Sequence, residues 1–177
     1  MLKSINKKTK IISTTGYTSR AVMKARLDNR LHKGKDFYMV GGMGHSLSVS
    51  LGISLQSKKE VICLDGDGSI LMHMGSLFSG GFNKNLNLKH ILFNNNVHES
   101  VGGQLTCAKK INFKLLSRSL GYKKYYKLSK NQNIENIIKK FLKGKSYSFL
   151  EVITNESNEN NLPRPKDLIK IKQKFIN

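Results

Sequence analysis

Several things are scarce in this chain, and each scarcity narrows what it can be. It has two cysteines in 177 residues, Cys63 in an apolar run and Cys107 in a polar one. Two such cysteines make neither a disulfide framework nor a metal-ligand spacing, which fits a reducing compartment and makes the cytoplasm the expected location. No apolar run approaches membrane-spanning length, so no membrane partner is expected. The opening "MLKSINKKTK" is charged but is followed by only a two-residue apolar step before "STTG", so no signal-peptide core is expected either. There is no internal repeat. The length suits one ordinary domain that buries its own core without staples.

Acidic residues are the scarcest class relative to their counterpart: 11 against 31 Lys and Arg, a formal net charge of +20. So basic a chain raises nucleic acid as a partner. However, the lysines are spread along its whole length among asparagines and isoleucines, and no zinc-finger, RNP-like or helix-turn-helix pattern accompanies them. The expectation is a solvated basic surface that favours anionic ligands or an acidic partner subunit, not a nucleic-acid binder.

What is present alternates. Apolar runs suited to buried strands recur at "KIIST", "FYMV", "EVICLD", "KHILFNN", "KYYKL" and "SFLEVIT". Helix-length segments lie between them: "TSRAVMKARLDNRL", with Val22, Met23 and Leu27 apolar; "GHSLSVSLGISLQ", small and apolar almost all round; "SILMHMGSLFSG"; and "NQNIENIIKKFLKG", with Ile134, Ile137, Ile138 and Phe141 on one face. Strand alternating with helix predicts a doubly wound, mostly parallel α/β sheet with helices on both faces. Residues 1–155 would form that domain. Residues 156–177 would be a tail of polar linker, Pro-Arg-Pro and a short amphipathic helix suited to docking on a partner. The stretch from Val97 to Lys110 is polar and glycine-rich, so it is expected to be a functional loop.

In such a sheet ligands gather outside the carboxyl ends of the strands, and "STTG", "GGMGHS", "DGDGS" and "NNNVHES" all fall there. Glycines on both sides of Asp67 allow a sharp turn with backbone N–H groups near a ligand, and Ser69 starts a helix whose free donors suit diphosphate oxygens. A hard divalent cation on that diphosphate needs a carboxylate and a few neutral oxygens. Asp67 can give the carboxylate. Twenty-five residues, 69 to 93, separate Gly68 from Asn94. That is enough for a helix, a turn and the next parallel strand, which would set the asparagines beside Asp67.

Gly-Asp-Gly, this gap and then Asn-Asn resemble the motif of thiamine diphosphate enzymes, in the domain that holds the diphosphate and Mg²⁺. The resemblance implies Asp67, the Asn95 side chain and the Val97 main-chain carbonyl as metal ligands. It implies cofactor contacts from Thr14 and Thr15, from Gly41, Gly42 and Met43, and from Gly66, Gly68 and Ser69, with Met43 as the apolar wedge that bends the cofactor. "TTGYTSR", "GGMGHS", "DGDGSILMHMGSL", "NNNVHESVGGQLT" and "LPRPKDLIKIKQKF" look like the C-terminal half of the phosphonopyruvate decarboxylases, and next like the β subunits of the sulfopyruvate decarboxylases. Asn96 departs from the more usual glycine, and "GGMG" from Gly-Ser-Met-Gly.

By the same resemblance, the activating glutamate belongs to a pyrimidine-binding domain for which this chain is too short. A separate α-type subunit and a hetero-oligomer such as α2β2 are therefore implied. The implied reaction is decarboxylation of a small anionic 2-oxo acid. His98 and His45 stand where they could donate protons or bind the anionic tail, and Arg20 and Arg164 where they could capture the substrate. His73 is expected to be packed, and Met72 and Met74 to be core. Two other classes compete. "FYMVGGMGHSLS" followed by "VICLD" imitates a dinucleotide-binding unit with Asp65 on a ribose, although His45-Ser46-Leu47 replaces its third glycine and the asparagines are left unexplained. The other is a basic binding module without catalysis.

Overall fold

The computed structural model describes residues 1–28, 31, 34–83, 86–156 and 161–176. Residues 29–30, at the end of the first expected helix, and 157–160 and 177, in the tail, lie outside the described residues.

Among the described residues, six strands form one sheet: β1 (Lys10–Ser13), β2 (Lys35–Tyr38), β3 (Val61–Gly66), β4 (Leu88–Asn94), β5 (Lys124–Leu128) and β6 (Ser148–Ile153). Their order is β2-β1-β3-β4-β6-β5 and every pairing is parallel. The central strands are buried nearly throughout because both of their faces are covered, and they are mostly apolar, with Asp65 in β3 and Lys89 and His90 in β4 as buried exceptions. Alternate residues go to opposite layers. Ile12, Val61, Cys63, Leu88 and Phe149 face one core, and Ile11, Ile62, Leu64, Ile91 and Leu150 face the other. The chain reverses direction across the sheet between β1 and β3, and the crevice at the carboxyl ends opens there.

Among the described residues, seven helices connect and flank the strands: α1 (Tyr17–Asp28), α2 (Ser46–Gln56), α3 (Asp67–Met72), α4 (Gly75–Gly81), α5 (Phe113–Ser119), α6 (Ile134–Leu142) and α7 (Leu168–Ile176). Several differ from their expected form. In α1 the buried face is Ser19, Val22 and Arg26, and Leu27 is exposed. Arg26 is admitted because Asp36 of β2 meets it twice, at 2.8 and 2.9 Å. The α2 helix is not buried all round: Ser46, Leu47, Ser50, Leu51 and Ser54 face inward, and Leu55 faces out. The single helix expected over "SILMHMGSLFSG" is two helices, α3 and α4. The break is at His73 (φ −139°, ψ 55°), whose carbonyl is taken by the Ser76 hydroxyl at 2.9 Å, a local bond that competes with helix continuation. Asn133 caps α6 by accepting the Asn136 N–H at 2.9 Å, and Ile138 and Phe141 are buried while Ile134 is exposed.

The loop after β4 is more ordered than its polarity implies. An isolated antiparallel bridge joins Val97 to Leu105, and Thr106 and Ala108 are buried. The tail ends on the chain's own sheet: α7 packs on β2, with the Phe175 ring 5.4 Å from that of Phe37 and under the Lys10 ammonium.

Candidate functional site

At the carboxyl edge, five strand ends open into one cleft of about 420 Å³. Ser69 links three of the turns around it. Its hydroxyl lies 2.9 Å from the Thr14 hydroxyl after β1 and accepts the N–H of Gly44, after β2, at 3.1 Å. A second tie runs from the Gly41 N–H to the Thr15 hydroxyl at 3.2 Å. The turn bearing Met43 holds three residues at positive φ, Gly41, Gly42 and Gly44, a conformation that glycine adopts without strain. Met43 lines the cleft with Thr14, Thr15, Gly66, Gly68 and Ser69; Gly41 and Gly42 lie outside its wall.

Asp67 opens α3 with Gly66 as its cap residue, and it is 3% exposed. One carboxylate oxygen, Oδ2, accepts the hydroxyl of Thr106 at 2.6 Å, so Oδ1 remains for another partner. The three asparagines after β4 divide their work. Asn94 is buried and donates to Glu151 at 3.0 Å, which fastens β4 to β6. Asn95 lines the cleft; its amide nitrogen donates to Glu99 at 2.8 Å, and its oxygen accepts the Val97 N–H at 3.1 Å. Asn96 adopts φ 62°, the left-handed conformation that asparagine tolerates best after glycine, which accounts for its standing where glycine is more usual.

The Val97 bridge decides what this wall can hold. Its two hydrogen bonds are Thr106 N–H to Asn96 O and His98 N–H to Gln104 O, one residue to either side of Val97. The N–H and C=O of Val97 therefore both turn away from Leu105, toward the side from which the Asn95 carboxamide approaches. One carboxylate, one amide oxygen and one main-chain carbonyl, all on cleft-lining residues, form a hard oxygen donor set suited to Mg²⁺. Open space beside Gly66, where a Cβ would meet nothing within 4 Å, leaves room for a diphosphate. The residues fit a metal–diphosphate group.

The profile of the thiamine pyrophosphate enzymes, C-terminal TPP-binding domain, matches residues 13–152. The chain belongs to this family. Its cofactor is thiamine diphosphate, and the matched span runs from the end of β1 to within β6, so it includes the turns after β1 to β4. Over 166 residues the chain is 31% identical to a phosphonopyruvate decarboxylase from Streptomyces viridochromogenes, covering 94% of this chain and 41% of that protein. Over 112 residues it is 36% identical to sulfopyruvate decarboxylase subunit beta from Methanothermobacter thermautotrophicus, covering 63% of this chain and 58% of that one. The chain thus spans less than half of the first relative and somewhat over half of the second. A solved structure from Mycobacterium smegmatis, described as a candidate thiamin diphosphate-dependent enzyme, superposes with a TM-score of 0.65 at 16% identity, over 87% of this chain and 30% of that one. It supports the fold.

Other expected residues are dispersed. His98 lines the cleft and its ring packs against Gly68, leaving no room there for a Cβ. His45 lies outside the wall, its ring centroid 4.1 Å from that of His73. His73 is exposed, as is Met72; Met74 is partly buried against the core. Arg20 lies over the ring of Tyr17, which lines the cleft, but is not itself in the wall, and Arg164 is exposed in the tail. Asp65 is 1% exposed and lies outside the cleft wall, so it cannot hold a ribose, and the dinucleotide reading loses its acid. Thr106, Glu99 and Leu162 were not foreseen. Thr106 reaches Asp67 only because the Val97–Leu105 bridge folds the loop back, and Leu162 reaches the cleft only through the path of the tail. No local pattern announces such long-range contacts.

Proposed function

We propose that this chain is the diphosphate- and Mg²⁺-binding, β-type subunit of a decarboxylase that converts phosphonopyruvate to phosphonoacetaldehyde and CO₂. One observation supports the reading: Asp67, Asn95 and Val97 line one cleft, with the Val97 carbonyl turned out of its bridge. The resemblance to phosphonopyruvate decarboxylase supports the substrate, and the resemblance to sulfopyruvate decarboxylase subunit beta supports a separate α-type partner.

Thiamine diphosphate, when bound, supplies the electron sink for loss of CO₂ from a 2-oxo acid. This chain's residues hold and orient. Asp67, Asn95 and the Val97 carbonyl hold Mg²⁺; Thr14, Thr15, Gly66, Gly68 and Ser69 form the diphosphate wall; Met43 supports the organic part with Gly41 and Gly42 behind it. His98, at the mouth and against Gly68, exchanges a proton with the substrate or pairs with its phosphonate. His45, Arg20 and Arg164, outside the wall, serve at most to attract the dianionic substrate. The outer residues Leu168, Ile169 and Ile176 of α7 are exposed and add to the partner contact. Two free cysteines suit a cytoplasmic assembly.

The test is co-expression with a subunit that carries the pyrimidine-binding domain and its activating glutamate, followed by assays on phosphonopyruvate, sulfopyruvate and pyruvate. The chain alone should be inactive on all three. The complex should act on phosphonopyruvate, and Asp67→Ala should abolish that activity. Turnover of sulfopyruvate instead would assign the substrate of the other relative. Unchanged activity in Asp67→Ala would leave a binding module without catalysis.

A further inference from the structure

The stretch "LDGDG" holds two acids, and the cleft uses only Asp67. Asp65 points into the layer beneath. Its Oδ1 accepts the N–H of Gly66 at 3.0 Å, the residue that caps α3 and leads into Asp67. Its Oδ2 faces Nε2 of His90 on β4 at 3.4 Å, with both side chains sealed from solvent. The other ring nitrogen, Nδ1, lies 2.7 Å from the Tyr122 hydroxyl. Burial, first of all, pushes that hydroxyl well above its ordinary pKa, so it keeps its proton, and which of the two atoms donates follows the ring tautomer. Where Tyr122 donates, the neutral ring carries its proton on Nε2, the nitrogen nearer Asp65. At 3.4 Å the pair is in electrostatic contact without hydrogen-bond geometry, and neither Oδ2 nor Nε2 has a hydrogen-bond partner among the described residues.

This contact lies at a particular level of the sheet. The β3–β4 ladder ends at Gly66 and Phe93, so Asp67 follows one residue beyond it and Asn95 two. Above that last pair no backbone bond between the two strands fixes the gap between the two oxygen ligands. Asp65 and His90 join the same strands just below it, one through the turn backbone and the other through β4. We infer that Asp65 and His90 are positioning residues that set the spacing of Asp67 from Asn95, and with it the affinity of the cleft for metal and diphosphate. The inference rests on the reading of the cleft proposed above. Side chains that orient metal ligands typically change affinity by about 10- to 100-fold when removed.

The experiment measures binding of Mn²⁺ with thiamine diphosphate by electron paramagnetic resonance, using the full chain alone and co-expressed with its partner. Thermal unfolding is recorded for each variant. Asp65→Asn and His90→Gln should each weaken binding by about 10- to 100-fold while unfolding stays cooperative. The double variant should be no weaker than the worse single one, because both act through one contact. Tyr122→Phe, which removes only a hydroxyl, should weaken binding less, and with His90→Gln it carries the test if Asp65→Asn does not fold. Variants that bind as tightly as the parent, whatever their stability, overturn the inference alone. A parent that takes up no metal–diphosphate overturns the reading of the cleft and this inference with it. Cys63 shares the pocket, the three ligating atoms within 4.8 Å of one another, so stoichiometric zinc in the purified chain would replace the tie with a metal site.

Discussion

Cys63 and Cys107 carry the same group in opposite surroundings. Burial, with the Asp65 charge nearby, pushes the Cys63 thiol well above its ordinary pKa, whereas Cys107 is exposed. The thiolate is the reactive form. Ellman's reagent should therefore titrate one thiol in the native chain and two after urea; two in the native chain would contradict the burial of Cys63. Glu60 gives a pH dependence of determined sign. Burial raises its pKa, partly offset by the Thr9 hydroxyl at 3.2 Å. Such a carboxyl costs nothing below its unfolded pKa, where both states are protonated, and costs most above its folded pKa, where both are ionised. Glu60→Gln should raise the melting temperature at neutral pH and leave it unchanged near about pH 3, well below the unfolded pKa of about 4.3.

At the scale of elements, the strands were legible because burial on both faces leaves nearly unbroken apolar runs, as in "VICLDG". The helices were less so. Arg26 looks like a surface residue until Asp36, ten positions on and in β2, makes it an inner one, and the serines of α2 look neutral until their helix lies on β3. The break at His73 depends on one hydroxyl, and α5 is too short to declare itself by periodicity. At the site, Asp67 and Asn95 were visible through their spacing, while Thr106 was not, because a single non-local bridge delivers it. The Arg26–Asp36 pair also ties α1 to β2. Asp36→Ala should destabilise the chain by about 3–5 kcal/mol, since it leaves the Arg26 charge in a nearly dry site. Denaturant titration checks this; a loss below about 1 kcal/mol would mean that the pair behaves as a surface pair.

At the scale of the molecule, a net charge of +20 means that any acidic partner is met electrostatically before it is met by shape. Association with the proposed α-type subunit should weaken steadily as salt rises from about 0.05 to 0.5 M, measured by sedimentation or light scattering. An interface held by apolar contact alone would show no such trend. Asp67 and Glu99 are acids that line the cleft of an otherwise basic chain, and under the proposed reading a divalent ion held there would offset their charge.

The position of Phe175 has a mechanical corollary. Its ring seals β2, an edge strand bonded on one side only, and β2 leads within a few residues to the glycine turn that carries Met43. Removing the ring at Phe175 would thus uncover that edge and loosen the far rim of the cleft without altering any residue of its wall.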